Sequence, residues 1–302
     1  MSKVQIFFAF VLIIVIGVSI KGYTVYQAIS PNAITYWNDN NERNKQQINH
    51  DLWADVLSHY LFIDRKMNTR AFAYGQITPN DKIKLTTYLQ QLQNIDPREY
   101  SKDEQLAYWV NLYNALTVNL IIEHYPVDSI KDIGDGFTGP WNLELAQIND
   151  LPVTLNQIEH GILRALWQEK RLHYVINCAS IGCPDLPTEP FSSNNIEQQL
   201  NNAAIRFINQ PKSVQLTENT LVLSSIYHWF SDDFGENTQE ILDHIKRYAK
   251  PALKAELNNV NNDIGDIKYA YNWKLKNTST GHINKEVLKN NSLNKPSLSK
   301  SN

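Results

Sequence analysis

The chain has 302 residues, of which 42% are hydrophobic and 20% charged, and its formal net charge is −3. This is the composition of an ordinary globular protein, and the length suffices for one large domain or two small ones. No basic block stands out, so we expect no nucleic-acid partner.

The first predicted element is an apolar helix near the amino terminus. Residues 4–20 carry no charge and are flanked by Lys3 and Lys21. Their number lies between that of a membrane-spanning helix and that of the apolar part of a signal peptide. We interpret residues 1–22 as a membrane anchor or a signal segment. The protein is then either anchored in the inner membrane with its domain in the periplasm, the membrane being a partner, or secreted after signal cleavage.

The remainder of the chain divides by composition. Residues 23–47 are interpreted as a linker and residues 48–276 as the globular domain. Residues 277–302 are rich in Asn, Ser and Lys and hold few large apolar side chains. Such a segment buries too little apolar surface to offset the entropy of ordering it, so we predict a disordered tail.

Three helices are predicted in the first half of the domain. Apolar residues at helical spacing indicate helices over 48–60 and 78–96. The third helix, over 101–125, is apolar nearly all round, which is typical of a buried central helix. Ser101 and Glu104 predict a capping box at its start.

The second half mixes helices with short strands. A second capping box of Thr154 and Gln157 predicts another helix, and "RLHYVINCAS" (171–180) reads as a short strand. The remaining segments predict a helix over 194–209, a hairpin over 213–225, a helix over 238–251 and a last strand within 266–277. Because these elements do not alternate regularly, we predict an α+β fold. It is a single mixed domain with a buried central helix and a small sheet, preceded by the amino-terminal hydrophobic helix.

Five segments of the chain form an ordered set of motifs. They read "WVNLYNALTVNLI", "LNQIEHGILR", "LHYVINCASIGCPDLP", "WFSDDFG" and "YAYNWKLKN". The set resembles the domain of unknown function number 547, a family of bacteria and plants, over Glu104 to Lys276. The resemblance implies an exported protein of uncharacterised activity. The last motif of the family usually reads Tyr-Asp-Trp-x-Leu-Asn, and here Asn272 replaces the Asp and Lys276 the final Asn.

One hypothesis for the two cysteines is a thiol enzyme. Such a site needs a thiolate, a base and a group that orients the base. Cys178 is the candidate nucleophile, with His160 and His173 as candidate bases and Glu104 or Asn111 as the orienting group. The site would perform hydrolysis or acyl transfer.

The competing interpretations of the same cysteines are a disulfide and inert packing. Four residues separate Cys178 from Cys183, and an oxidising compartment favours pairing them. The protein would then be a non-catalytic binding or scaffold module of the cell envelope, with a peptide or glycan as its ligand. The candidate binding residues are Asn114, Asn177, Ser180 and Cys183.

Other polar residues have structural explanations. Asn111 and Asn114, on the apolar helix, either staple it to a neighbouring loop or line a cleft. The "WFSDDFG" segment is expected to pack its aromatic rings on the core, with Asp233 capping the next turn. The C-x4-C spacing and the lack of H-x3-H or HExxH motifs predict no metal site, and we expect no cofactor.

Overall fold

The computed structural model describes residues 30–64, 69–134, 139–217, 220–259 and 267–278. The prediction of a transmembrane helix is corrected, because no helix in these ranges is long and apolar enough to cross a membrane. The apolar amino-terminal segment, residues 1–22, lies outside them, as does the tail beyond residue 278.

The first half of the domain is mainly helical. The helices are α1 (Asp51–Tyr60), α2 (Pro79–Gln93) and α3 (Lys102–His124), and a hairpin of β1 (Leu61–Asp64) and β2 (Thr69–Phe72) lies between α1 and α2. Short 3-10 turns connect them at Thr35–Asn38, Tyr74–Gln76, Pro97–Glu99, Ile130–Asp132 and Gly139–Asn142. All three predicted helices are therefore present.

Helix α3 is the buried centre of the domain, as its apolar sequence predicts. Almost every side chain from Glu104 to Ile122 is buried, and α2 packs on it. The predicted capping box is only half formed. Ser101 Oγ accepts a hydrogen bond from the Glu104 N–H, but the Glu104 carboxylate accepts instead from the Ile48 N–H at 2.8 Å. A tertiary partner has displaced the local one.

A second small hairpin precedes the next helical segment. Strands β3 (Ala146–Ile148) and β4 (Leu151–Val153) pair antiparallel. The capping box of Thr154 and Gln157 is confirmed. The Thr154 N–H donates to Gln157 Oε1 at 2.9 Å, and the Gln157 N–H donates to Thr154 Oγ1 at 3.1 Å. The helix it opens continues as a π helix over Gln157–Arg164 and ends in α4 (Ala165–Trp167).

The predicted strand over 171–180 is wrong. Lys170–Tyr174 is a 3-10 helix, and the chain then runs irregularly to Cys178. The reason lies in the partners of its backbone, because the Asn114 side chain binds Val175 O at 2.9 Å and Asn177 N at 2.8 Å. A side chain thus satisfies groups that a strand would pair with a neighbouring strand.

The last part of the chain builds a second apolar cluster. After a turn at Ser193–Asn195 follow α5 (Ile196–Ile208), β5 (Val214–Thr217), β6 (Thr220–Ser224), α6 (Ile226–Trp229), α7 (Ser231–Phe234), α8 (Thr238–Tyr248), α9 (Pro251–Asn259) and β7 (Lys268–Ala270). Strands β5 and β6 form the predicted hairpin, and β7 joins β6 in parallel. The fold is α+β, as predicted.

Candidate ligand site around the disulfide

Cys178 and Cys183 are joined in a disulfide. Cys183 is buried and Cys178 half-buried. The hydroxyl oxygen of Tyr271 lies 3.1 Å from each of the two sulfurs, and Ser180 Oγ lies 3.6 Å from Cys178 Sγ. The disulfide is therefore fixed against the segment that follows β7.

The loop that carries the disulfide depends on two special backbone positions. Ala179 has a φ of 62°, a left-handed conformation that costs an L-residue about 1–2 kcal/mol. Asn177 offsets this, since its Oδ1 accepts from the Ala179 N–H at 2.8 Å and its Nδ2 donates to Pro184 O at 2.5 Å. At Gly182 a Cβ would lie 2.8 Å from the Tyr271 ring. Glycine thus permits the close approach of Tyr271.

Half-buried aromatic rings surround this contact. We call Trp141, Trp229, Tyr271 and Trp273 the aromatic cluster. The Tyr271 ring centre is 4.7 Å from both Trp229 and Trp273, and Trp141 is 5.8 Å from Trp273. All four residues are partly exposed to solvent, and the Lys131 ammonium lies 5.0 Å from the Trp273 ring centre. The result is a partly exposed apolar surface with polar groups at its edge.

A buried carboxyl group lies behind the cluster. Tyr113 donates its hydroxyl hydrogen to Glu159 Oε2 at 2.9 Å. Burial raises the pKa of Glu159 to about 7, although Tyr113 and the Arg164 charge oppose the rise. Burial also raises the pKa of Tyr271, and the nearby Glu159 charge adds to the effect. Glu159 is thus a group that titrates near neutral pH.

The π helix also presents His160 and Arg164 to the "WFSDDFG" segment. Arg164 holds Asp233 through two hydrogen bonds of 2.5 and 3.0 Å. His173 Nε2 lies 2.6 Å from the same carboxylate, and His160 Nδ1 lies 3.0 Å from Arg164 Nη1. Because arginine only donates, His160 Nδ1 must accept, which places its ring hydrogen on Nε2.

Burial and hydrogen bonding together determine the charges in this group. Burial lowers the pKa of His173, against the opposing hydrogen bond to Asp233, and it lowers the pKa of His160 to about 3 with help from the Arg164 charge. Although burial opposes it, the hydrogen bonds from His173 and Arg164 hold the pKa of Asp233 well below its usual value. At neutral pH the group is an Arg164–Asp233 ion pair with two neutral imidazoles.

Asp233 therefore does not act as the predicted cap of a turn. Phe230, in the same segment, stacks its ring on His173 with ring centres 4.4 Å apart. The centre of the Phe230 ring lies 4.7 Å from the Arg164 guanidinium. A surface cleft of about 300 Å³ opens beside the ion pair. The lining residues are Pro31, Arg164, Ala165, Gln168, Glu169, Asp232 and Asp233.

The remaining candidate residues hold neighbouring segments of the chain through hydrogen bonds. Asn111 binds both N and O of Phe191 at 2.9 Å, as Asn114 binds Val175 and Asn177. The second oxygen of Glu104 accepts from Ser193 Oγ at 2.5 Å. Glu104 and Asn111 thus hold the segment before α5, while the candidate binding residues converge on the disulfide loop.

Five residues of this region were not among the sequence candidates: Tyr113, Glu159, Arg164, Asp233 and Tyr271. All five lie within the motifs quoted from the sequence, so the motifs marked the segments, but nothing in them indicated which side chains meet. Within the described ranges, no group of three or more His, Cys, Asp or Glu side chains is placed to hold a metal ion.

The fold and this site define an α+β domain in which a disulfide and a π helix support an aromatic surface. The family model described as "Protein of unknown function, DUF547" matches residues 97–208, which supports assignment of this part of the chain to that family. The match contains α3, the π helix and the disulfide loop. No curated protein and no solved structure gives a significant match.

Proposed function

We propose that the domain is a non-catalytic binding module of an oxidising compartment outside the cytoplasm, and that its aromatic cluster binds a glycan. The observation that carries the proposal is the disulfide, whose two sulfurs both contact the Tyr271 hydroxyl. A thiol enzyme needs a thiolate, and a cysteine in a disulfide supplies none. Disulfides also persist mainly in secreted proteins.

The shape and polarity of the cluster favour a sugar. A pyranose ring has an apolar C–H face and a rim of hydroxyl groups. Indole and phenol rings that are half exposed offer a flat apolar surface for that face. Lys131 and the exposed Asn272 lie at the edge of the cluster and supply hydrogen bonds for the rim. In this view the disulfide fixes the orientation of Tyr271.

The test is a titration of the full chain with a panel of soluble oligosaccharides, in which binding is measured by tryptophan fluorescence and by calorimetry. Trp229→Ala is expected to weaken binding at least tenfold, a loss of about 1.4 kcal/mol or more. Trp167→Ala is the matched control, since Trp167 is also half-buried but packs against Lys102. The proposal would be refuted if no oligosaccharide bound or if peptides bound more tightly than sugars. It would also be refuted if Trp229→Ala and Trp167→Ala lost the same affinity.

A second candidate is a thiol-dependent hydrolase or acyl transferase that acts in the reduced state. It is favoured by the Tyr271 hydroxyl, 3.1 Å from Cys178 Sγ, and by Glu159 behind it, whose pKa of about 7 suits proton transfer. The hydrogen bonds of His160 and His173 to Arg164 and Asp233 argue against either ring as the base.

Thiol counting under non-reducing conditions separates the two candidates. The binding module predicts no free thiol in the purified protein, and Cys178→Ala, if it folds, should weaken ligand binding because Tyr271 loses its contact with the disulfide. The enzyme predicts two free thiols, one of which reacts rapidly with an electrophilic probe at neutral pH and is lost in Cys178→Ala.

A further inference from the structure

A second charged cluster lies beneath the carbonyl of Cys183 and is centred on Asp185. The side chain of Asp185 is fully buried. Its Oδ2 accepts from Arg206 Nε at 2.7 Å and from Gln210 Nε2 at 2.8 Å. Its Oδ1 accepts from Lys276 at 3.0 Å and from Lys212 at 3.3 Å. One carboxylate therefore serves three cationic side chains.

The two lysines share the same acceptors. Both Lys212 and Lys276 donate to the Cys183 carbonyl oxygen as well as to Asp185 Oδ1. Their ammonium groups are therefore neighbours in a site with little water, where each disfavours the charge of the other. Burial, and then the Lys276 charge, lowers the pKa of Lys212 well below its usual value.

A fourth cation adds to this excess. Arg70 donates to Leu186 O at 3.0 Å. Burial lowers the pKa of Arg70 to about 10, and the Arg206 charge adds to this effect while Asp185 opposes it. In the part of the chain that the structure describes, Arg70 Nε and Arg206 Nη2 are buried without a hydrogen-bond acceptor. Two buried guanidinium donors of the cluster are therefore left without an acceptor, and four cationic side chains surround the single carboxylate of Asp185.

A cavity of about 220 Å³ adjoins the two lysines. Lys212 and Lys276 form part of its wall, together with the Asp64 carboxylate, Thr69, Gln210 and Asn277, and the rest of the wall is apolar. We propose that this cavity binds a small oxyanion, namely inorganic phosphate or the phosphate of a phosphomonoester. A tetrahedral oxyanion has several acceptor oxygens, and it would compensate two adjacent ammonium groups that share a single carboxylate oxygen.

The test is thermal unfolding and calorimetry of the full chain with inorganic phosphate, against chloride at equal ionic strength. Phosphate is expected to raise the unfolding temperature progressively with its concentration, as a ligand of the folded state does. Lys212→Met is expected to weaken phosphate binding at least tenfold. Lys254→Met, at an exposed lysine of α9, should bind like the wild type.

The same variant tests the excess charge without phosphate. Lys212→Met leaves Lys276 and Arg206 on Asp185, so its unfolding temperature should equal or exceed that of the wild type. A lower value with an undiminished phosphate response would show a purely structural cluster and overturn the proposal, as would no phosphate response in the wild type. If Lys212→Met does not fold, Lys212→Gln takes its place.

Glycerol phosphate serves as the second ligand. Binding of both ligands supports a site for phosphomonoesters, and binding of inorganic phosphate alone supports a site for the free anion. Equal responses of the wild type and the Lys212 variant to either ligand would indicate non-specific binding and overturn the proposal.

Discussion

Glu159 is a carboxyl group whose environment changes its protonation at neutral pH. It lies in the π helix, buried, with the Tyr113 hydroxyl as hydrogen-bond donor. Burial disfavours its charged form and raises its pKa from about 4.5 to about 7. Between these two values the folded protein binds a proton that the unfolded chain has released. This carboxyl group therefore lowers the free energy of unfolding as the pH rises through that window.

Glu159→Gln is expected to remove this dependence, because the amide cannot ionise and its oxygen can still accept from Tyr113. The variant should match the wild type near pH 4.5 and exceed its unfolding free energy by up to roughly 3 kcal/mol at pH 8, since each pKa unit is worth about 1.4 kcal/mol. Urea unfolding at pH 5, 6, 7 and 8 measures the difference. The exposed Glu123→Gln should show no such trend, and parallel curves for Glu159→Gln and the wild type would contradict the prediction.

The contacts of Arg164 show which side-chain pairs can be predicted from sequence and which cannot. His160 and Arg164 are four residues apart, a spacing that places side chains on one helix face, so their contact could be anticipated. Asp233 is 69 residues from Arg164, and nothing local indicates that pairing. The pattern "SDDF" instead suggested a capping role, because Asp is common in turns.

At the scale of elements, two side chains of α3 bind the backbone of neighbouring irregular segments. Asn111 and Asn114 each donate to one backbone oxygen and accept from one backbone N–H of a loop. These loops have no strand partner at those groups, so the two carboxamides replace sheet hydrogen bonds. Asn111 and Asn114 therefore attach the helix to neighbouring loops, which is the first of the two roles considered for them from the sequence.

Asn114→Ala is expected to lower the free energy of unfolding by roughly 3 kcal/mol, because it leaves the buried Val175 O and Asn177 N without their partner. Asn119→Ala, on the same helix, is the matched control. Its side chain donates to the exposed Glu123 and, among the described residues, holds no loop backbone, so a change below about 0.5 kcal/mol is expected. Chemical denaturation measures both, and equal losses would contradict the stapling role.

The elements that sequence predicts well are those whose signals are local. Thr154 and Gln157 form their capping box because both partners lie within one turn, and the apolar periodicity of α2 and α3 survives in the fold. The capping box at Ser101 failed, and the strand over 171–180 failed, because distant groups took the hydrogen bonds. The π helix has no local signature, so the positions of Glu159 and Arg164 around it could not be derived.

At the scale of the molecule, several side chains inside the segment that matches the family contact residues outside it. The family model covers residues 97–208. Trp109 in α3 packs its ring 5.1 Å from that of Trp37, Arg164 is paired with Asp233, and Ser180 bridges to Leu275. Both apolar clusters combine residues from inside and outside the match. The cooperative unit is thus larger than the family segment.

We therefore expect a fragment of residues 97–208 not to fold cooperatively, whereas one of residues 30–278 should. The short fragment leaves Arg164 without its carboxylate and exposes the apolar surface that Trp37 covers. Both losses act on a domain whose total stability is typically ~5–15 kcal/mol. Near-ultraviolet circular dichroism and thermal unfolding compare the two fragments. A sharp transition of the short fragment at the temperature of the long one would show that residues 97–208 are self-sufficient.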